Sequence, residues 1–494
     1  MNFKSPEECG ISSANIEKFI KAIEDRRLYT HNVLIAKGDS IIFEKYWKPF
    51  DENFLHRQYS VTKSIVALAV GFAEQDGLVE LDAPIYRYFP EEAALSKSEL
   101  IANQTVREML TMRTALVPQS WFKGVKDDRV KFYFENTTVS NKRPAGTIFR
   151  YDSSGSFILC ALVERVSGKS FMDYMREKCF DKIGVSPEAT CLTCPGGHSW
   201  GDSAMLCTAR DLLKMARFTM NLGRWGGEQL LNENYVKTAI SKLTDNNDEF
   251  VYEFNTLGYG YQIWRTYDDS FFFNGMGGQL AVCVPHKDLI LIYNGDNQGQ
   301  PNNFASKKNV IDSFFDLIVR AEHNITCPKK KQASLAEYTK DLKLITVAGE
   351  TESEFSKKIN GKTFVLDKNN MGIKWLRFSF SSERSKMEYE NATGEKTLYF
   401  GMGKNVFEKF PEEGYSDLVG GKYAPGNFYD AATSGAWIES QKLGICVQVI
   451  DKYFGRLNMQ FGFKDENTLG IYMIPVAENF FGEYSGYAAG YAEK

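Results

Sequence analysis

The sequence lacks the features by which nucleic-acid-binding and membrane proteins are recognised. Its 494 residues carry a formal net charge of −4, and no long run of lysine and arginine offers a binding surface to a polyanion. Every apolar run falls well short of the about 20 residues that a membrane-spanning helix needs. The first residues contain neither the basic start nor the apolar stretch of a secretory signal peptide. We therefore expect a cytoplasmic protein that binds neither nucleic acid nor membranes.

Histidine is scarce, and cysteine is scattered. None of the five histidines stands in a recognisable Ser-His-Asp arrangement. The nine cysteines are an odd number, which favours reduced, buried thiols over a disulfide framework. The CxxC pair Cys191 and Cys194 is followed by a lone histidine, His198, whereas a structural zinc site needs four ligands. The sequence thus predicts no metal and no other cofactor.

The length of the chain predicts at least two domains. Residues 1–325 have the order helix, β-hairpin, a long helical middle, strands and a return helix, which predicts an α+β domain. Strands from both ends of this segment would form one antiparallel sheet, which helices flank. The helical middle would be an insertion between the two groups of strands. Residues 326–344 are polar and are predicted to be a linker. Residues 345–494 alternate short strand-like runs with Gly, Asn and Asp turns, which predicts an all-β meander or barrel of unknown role.

The segment "YSVTKS" precedes a strongly apolar helix and holds Ser60 and Lys63. At a spacing of three, both side chains would lie on one face near the first helical turn. A helix N-terminus favours negative charge on the Ser60 oxygen, and a desolvated lysine favours its neutral form and can accept the hydroxyl proton. The alternative is that Ser60 only caps the helix and that the S-x-x-K pattern arises by chance.

The segment "RYDSSG" places Tyr151 and Ser153 after a Pro/Gly loop and before another helix. A tyrosine here could act as a second acid/base group and pass a proton to the leaving group. The alternative is a boundary tyrosine whose hydroxyl lies in water, followed by Ser153 as a helix cap.

The segment "FFFNGMGGQLAV" carries Gly275, Gly277 and Gly278 in what is predicted to be one strand. Glycine inside a strand usually marks a close approach of another group to the backbone, so this strand could line the acyl part of a substrate. The N–H of Gln279 could then pair with the N–H of Ser60 as an oxyanion hole. The alternative is a β-bulge.

S-x-x-K, then Y-x-S about ninety residues later, then the glycine-rich segment resemble, in this order, the serine β-lactamase-like superfamily. That group includes class C β-lactamases, DD-peptidases, esterases and amidases. Longer segments, from "QYSVTKSIVALAVGFAEQDGLVELDAPIYRYFPE" to "GYGYQIW", also resemble it, over roughly residues 5–320. The resemblance implies a β-lactamase/transpeptidase-like fold and acyl-enzyme chemistry without a cofactor.

By position, the resemblance implies that Ser60 is the acylated nucleophile, Lys63 the lysine that activates it and Tyr151 the general acid and base. Ser153 stands where the family often has asparagine. Met276–Gly277–Gly278 stands at the position of Lys-Thr-Gly or His-x-Gly, where enzymes acting on β-lactams or cell-wall stems hold a substrate carboxylate. Met276 cannot do so, and the lost contact is worth about 1.5–3 kcal/mol. His198 lies in a loop that usually lines the family's cleft, so it is predicted either to touch substrate or to be structural.

These features predict a serine hydrolase that cleaves a small ester or amide through an acyl-enzyme on Ser60. Three alternatives stay open: β-lactamase or D-amino-acid peptidase activity, acyl transfer to an alcohol or amine, and a non-catalytic ligand-binding protein that retains the fold. The sequence does not specify the substrate, its stereochemistry or whether the chain forms a homo-oligomer.

Overall fold

The computed structural model describes residues 2–96, 98–115, 128–135, 143–247, 250–299, 303–416, 423–477 and 480–493. The chain divides into two compact units, Met1–Lys343 and Leu344–Lys494. In the part of the chain that is described, no helix is both long enough and apolar enough to span a membrane.

Seven strands of the described chain form the sheet of the first unit. They are β1 (Asn2–Phe3), β2 (Thr30–Lys37), β3 (Ser40–Tyr46), β4 (Trp264–Arg265), β5 (Phe271–Gly275), β6 (Gln279–Val284) and β7 (Leu289–Gly295). Their spatial order is β1-β3-β2-β7-β6-β5-β4, and every neighbouring pair except β1 with β3 is antiparallel. The sheet is built from both ends of the unit, so the predicted α+β architecture with a helical insertion is confirmed.

Helices cover both faces of this sheet. The main ones are α1 (Ser13–Asp25), α2 (Val61–Gln75), α3 (Ser153–Ser167), α4 (Ala209–Met220) and α5 (Asn303–Phe314). Further helices span Pro90–Ala93, Glu99–Ala102, Val106–Leu110, Arg129–Glu135, Phe171–Met175, Asp181–Ile183, Glu233–Ala239 and Pro328–Tyr338. Helices α1 and α5 share a core with one face, whereas α2 and α4 pack on the other. Residues 61–73 of α2 are all buried, as the apolar character of this helix predicts.

The glycine-rich segment is not one strand, and this prediction was wrong. It forms two strands, β5 and β6, joined by the turn Met276–Gly277–Gly278. The φ angles of Gly277 and Gly278 are 77° and 101°, a region that glycine enters without steric cost. The two glycines therefore serve a hairpin turn, and neither a continuous strand nor a β-bulge describes them. Strand β5 pairs with β4 only through Phe271 and Phe272, so the end of β5 near the turn extends beyond β4.

The segment predicted as a linker contains a helix. Pro328–Tyr338 packs against α1, and the chain division falls after Lys343.

The second unit is a closed β-barrel. A barrel is one of the two architectures, meander or barrel, that the sequence predicts for residues 345–494. Its described strands are Thr363–Leu366, Trp375–Ser379, Ser385–Asn391, Gly394–Met402, Val406–Lys409, Asp430–Glu439, Lys442–Ile450, Phe454–Asp465, Thr468–Ala477 and Gly486–Ala492. Neighbouring strands pair antiparallel, and the ring closes where Gly401 and Met402 pair in parallel with Ser434 and Gly435. Buried and partly exposed residues alternate strictly along Ser385–Asn391, which is the pattern of a strand with one face inside a barrel.

Candidate active site

Ser60 and Lys63 meet as the sequence predicts. The Nζ atom of Lys63 lies 2.9 Å from the Oγ atom of Ser60. Lys63 is 1% exposed, whereas Ser60 is the one residue of the described stretch 56–73 that reaches solvent appreciably and is not buried. A buried amine in hydrogen-bond contact with a solvent-accessible hydroxyl is the geometry that general-base activation of a nucleophile requires.

The structure does not support the capping alternative for Ser60. Its side chain makes no capping hydrogen bond to the first turn of α2. The preceding residue, Tyr59, is fully buried and has a φ of 47°, a left-handed conformation that a tyrosine seldom adopts. Such a residue beside a polar, accessible side chain is typical of a functional turn rather than of an ordinary helix start.

A residue that the sequence argument missed completes the surroundings of Lys63. The backbone carbonyl of Asp202 accepts a hydrogen bond from Lys63 Nζ at 2.5 Å, across 139 residues of sequence. Strand Met205–Cys207 then pairs with His56–Arg57, just before Ser60. Asp202 lies in the same loop as His198, for which the sequence leaves substrate contact and a structural role open.

Tyr151 lies beside the same lysine. The centre of its ring is 5.2 Å from Lys63 Nζ and 5.6 Å from the ring centre of Trp264. Tyr151 and Ser153 are both partly exposed, in contrast to residues 154–163 of α3, which are all buried. The structure therefore brings Ser60, Lys63 and Tyr151 together.

Polar contacts fix the two helices that carry these residues. The carboxylate of Asp152 caps α3 by accepting from the N–H of Ser154 at 2.9 Å, and burial raises the pKa of this carboxyl. Gln262 bridges the helices: Ser64 of α2 donates to its backbone carbonyl at 2.7 Å, and Ser156 of α3 donates to its Oε1 at 2.6 Å. The relative placement of Ser60 and Tyr151 thus depends on buried hydrogen bonds rather than on the loop conformations alone.

The hairpin between β5 and β6 contacts the segment that precedes Ser60. A Cβ atom on Gly275 would lie 2.4 Å from the backbone oxygen of Gln58, so this position admits only glycine without a backbone shift. Along residues 271–284, Met276 is the one residue that is not buried. Among the described residues, none accepts a hydrogen bond from the backbone N–H of Ser60 or from that of Met276. Two backbone donors that have no acceptor within the described chain therefore lie on two segments that are in contact.

Gln279 is the residue whose backbone N–H the sequence predicts as an oxyanion donor. It is fully buried at the start of β6, opposite Gly275. Its side chain makes hydrogen bonds inside the sheet, to the backbone oxygens of Met276 and Gly295 and to the side chain of Asn294. The residue of the hairpin that reaches solvent is Met276.

His198 lies away from Ser60. Its Nδ1 atom is 2.8 Å from the Glu164 carboxylate, eleven residues beyond Ser153 on α3. At 1.5 Å per helical residue, that contact is about 16 Å along the helix from Ser153. His198 and Glu164 line a separate surface cavity of about 870 Å³. The structure thus favours the structural alternative for His198.

Comparisons with known proteins identify the family of the chain. A family model described as Beta-lactamase matches residues 16–309, more than half of the chain. A 6-aminohexanoate-dimer hydrolase of Paenarthrobacter ureafaciens is 23% identical over 285 residues, which are 53% of this chain and 71% of that relative.

Two solved structures share the fold of the first unit. One is a provisionally named 6-aminohexanoate-dimer hydrolase of Bacillus anthracis, with a TM-score of 0.52 and 16% identity over 60% of this chain and 81% of that one. The other, EstCE1, is a hydrolase with promiscuous acyltransferase activity, with a TM-score of 0.51 and 14% identity over 61% of this chain and 99% of that one. The predicted fold and the predicted resemblance are both confirmed, and this chain belongs to the β-lactamase family of serine hydrolases.

Proposed function

We propose that the first unit hydrolyses a small ester or amide through an acyl-enzyme on Ser60. The observation that carries this proposal is the 2.9 Å contact between Lys63 Nζ and Ser60 Oγ, in which the amine is buried and the hydroxyl is accessible. The hydrolase relatives of the family support the same reaction class.

Acylation begins with proton transfer from Ser60 to Lys63. A neutral amine has two N–H groups and one lone pair, so it keeps an N–H on the carbonyl of Asp202 while its lone pair accepts the Ser60 proton. The Ser60 oxygen attacks the substrate carbonyl, and the proton passes from Lys63 through Tyr151 to the leaving group. In deacylation, Tyr151 and Lys63 remove a proton from water, the hydroxide attacks the acyl carbon, and the proton returns to the Ser60 oxygen.

The oxyanion of the tetrahedral intermediate needs two donors, and we assign them to the backbone N–H groups of Ser60 and Met276. Both lack an acceptor among the described residues, and Gly275, which precedes Met276, is in contact with Gln58. This assignment replaces the N–H of Gln279, because Gln279 is buried and Met276 is accessible. Donors that are already oriented stabilise the developing negative charge without reorganisation.

The substrate that we propose has no carboxylate near the reacting bond. Met276 offers no charge, and the neighbouring lysine, Lys307, is 3% exposed and donates to the side chain of Asn274 at 2.7 Å. Because Gly275 faces Gln58, the side chain of Asn274 points to the opposite face of the sheet, so Lys307 lies behind the strand. The described hairpin residues 271–284 therefore carry no charged side chain that could anchor the carboxylate of a β-lactam.

We expect p-nitrophenyl butyrate to be turned over with a kcat/KM at least about 10-fold above that of p-nitrophenyl hemisuccinate. The hemisuccinate carries a carboxylate that must lose water without gaining a charge-assisted contact, and such a contact is worth more than about 1.4 kcal/mol. Both rates are measured by release of p-nitrophenolate. The variant Met276→Lys should narrow the ratio. A preference of the wild type for the hemisuccinate would contradict a neutral substrate.

The catalytic proposal is tested by covalent labelling. A fluorophosphonate probe should attach to Ser60, and peptide mass spectrometry identifies the modified residue. Ser60→Ala should remove the label, and Ser153→Ala, which alters a neighbouring hydroxyl, should keep it. Folded wild-type protein without an adduct on Ser60 would favour the non-catalytic binding protein instead.

We also propose a cytoplasmic location. All nine cysteines are free thiols, and six of them are buried, a pattern typical of proteins from a reducing compartment. Treatment with the thiol oxidant diamide should form disulfides and lower the activity relative to untreated protein. That result would agree with a requirement for reducing conditions. Activity that requires a disulfide would contradict it.

A further inference from the structure

We infer that the buried side chain of Gln279 is a positioning residue of the reaction, which holds the turn that carries the Met276 N–H in register with Ser60. The inference rests on the proposed function, and it assigns to the side chain of Gln279 a role that the sequence had placed on its backbone.

The amide nitrogen of Gln279 fixes the turn on one side. Nε2 donates to the backbone oxygen of Met276 at 3.1 Å and to that of Gly295 at 2.6 Å, which uses both of its hydrogens. Gly295 is the last residue of β7, so the turn is tied to the neighbouring strand. On the other side, the backbone N–H of Asn297 donates to the oxygen of Gly277 at 2.8 Å. With its carbonyls held inside the protein, the turn keeps one orientation of its peptide planes.

The amide oxygen of Gln279 connects this turn to the segment before Ser60. Oε1 accepts from Nδ2 of Asn294 at 2.9 Å, and the same Nδ2 lies 3.4 Å from Oε1 of Gln58. Gln58, Asn294 and Gln279 are each 0% exposed. A row of buried amides therefore runs from the hairpin turn to the residue two positions before Ser60.

Gln58 and the hairpin also touch through their backbones. The backbone oxygen of Gln58 lies against Gly275, where a Cβ atom would approach it to 2.4 Å. The two segments that carry the proposed oxyanion donors thus meet at one backbone contact and one row of amides. Removing the Gln279 amide leaves the contact but frees the turn to rotate.

Such a rotation would affect the transition state more than substrate binding. Oxyanion donors act when negative charge develops, and they must lie within hydrogen-bond distance of the position that the oxyanion then occupies. Displacements well below 1 Å are sufficient to weaken that interaction. A residue that only stabilised the fold would not separate kcat from KM in this way.

The test compares Gln279→Met with Gln229→Met. Methionine keeps the volume of glutamine and removes the amide. Gln229 is the matched control, because its Nε2 also donates to two backbone oxygens, those of Leu222 at 2.7 Å and Leu231 at 2.5 Å. We expect Gln279→Met to lower kcat for p-nitrophenyl butyrate by about 10- to 100-fold with KM changed less than about threefold. The rate of fluorophosphonate labelling should fall by a similar factor, while Gln229→Met lowers Tm but keeps kcat.

The outcomes separate the inference from the proposed function. Wild-type protein that forms no adduct on Ser60 overturns the proposed function. If the wild type is labelled and Gln279→Met keeps the wild-type kcat and labelling rate, the positioning role is overturned. An equal loss of kcat in both variants also overturns it, because the loss then follows stability. Should Gln279→Met not fold, Asn294→Ala removes the donor to Gln279 Oε1 together with the longer contact to Gln58 Oε1, and it leaves both bonds of Gln279 Nε2 in place. This variant should still lower kcat by about 3- to 10-fold at nearly constant KM, and an unchanged kcat there counts against the inference.

Discussion

Ser60→Ala should lower kcat for p-nitrophenyl butyrate by about 10⁴-fold or more. The variant removes the one side-chain oxygen that lies 2.9 Å from the buried amine of Lys63. Nucleophile and base act as a unit, so loss of the nucleophile removes the covalent route entirely. What remains is the contribution of binding and of the oxyanion donors to direct attack by water.

The measurement is the steady-state release of p-nitrophenolate, with the melting temperature recorded for each variant. Ser170→Ala is the control, because Ser170 caps a short helix by accepting from the N–H of Asp173 and touches none of the site residues. It should keep kcat within about twofold, since loss of a cap affects stability. More than a tenth of the wild-type kcat in Ser60→Ala, in protein shown by mass spectrometry to be free of wild type, would contradict the acyl-enzyme.

The pair Ser60 and Lys63 could be predicted from sequence because its geometry is local. Three residues along any helix bring two side chains to one face, whatever the rest of the chain does. The exposure of Ser60 could not be predicted in this way. It depends on the left-handed backbone of Tyr59, and the sequence carries no glycine or asparagine there to indicate it.

The glycine segment illustrates the limit of pattern reading. Three glycines in an apolar run were correctly associated with a close approach, which the contact between Gly275 and Gln58 provides. Whether such glycines lie inside a strand or form a turn depends on their φ angles, which the sequence does not contain. With the glycines in a turn, the proposed oxyanion donor moves from Gln279 to Met276.

Contacts made across long separations were the least predictable. Asp202 reaches Lys63 across 139 residues, through a backbone carbonyl that any residue type could supply. In the second unit, the alternating strands were evident, whereas closure of the barrel depends on one parallel pairing between Gly401–Met402 and Ser434–Gly435. Neither contact depends on a side chain whose identity would reveal it.

Lys63→Met should lower kcat by about 10³-fold or more, because the variant keeps the buried volume and removes the only proposed proton acceptor for Ser60. Lys63 is 1% exposed, so methionine fits the site without bringing in water. The carbonyl of Asp202 loses its donor, which costs stability, and the melting temperature reports that loss separately from kcat.

Lys307→Met is the matched control for this prediction. Lys307 is also buried and also binds one polar group at short range, the side chain of Asn274 at 2.7 Å. Burial lowers the pKa of Lys307 to about 7. We expect Lys307→Met to keep kcat within about threefold, since Lys307 lies behind the strand and not at the reacting bond. If kcat falls equally in the two variants, the loss follows from removing a buried lysine and not from failure to activate Ser60. That result would contradict the general-base role of Lys63.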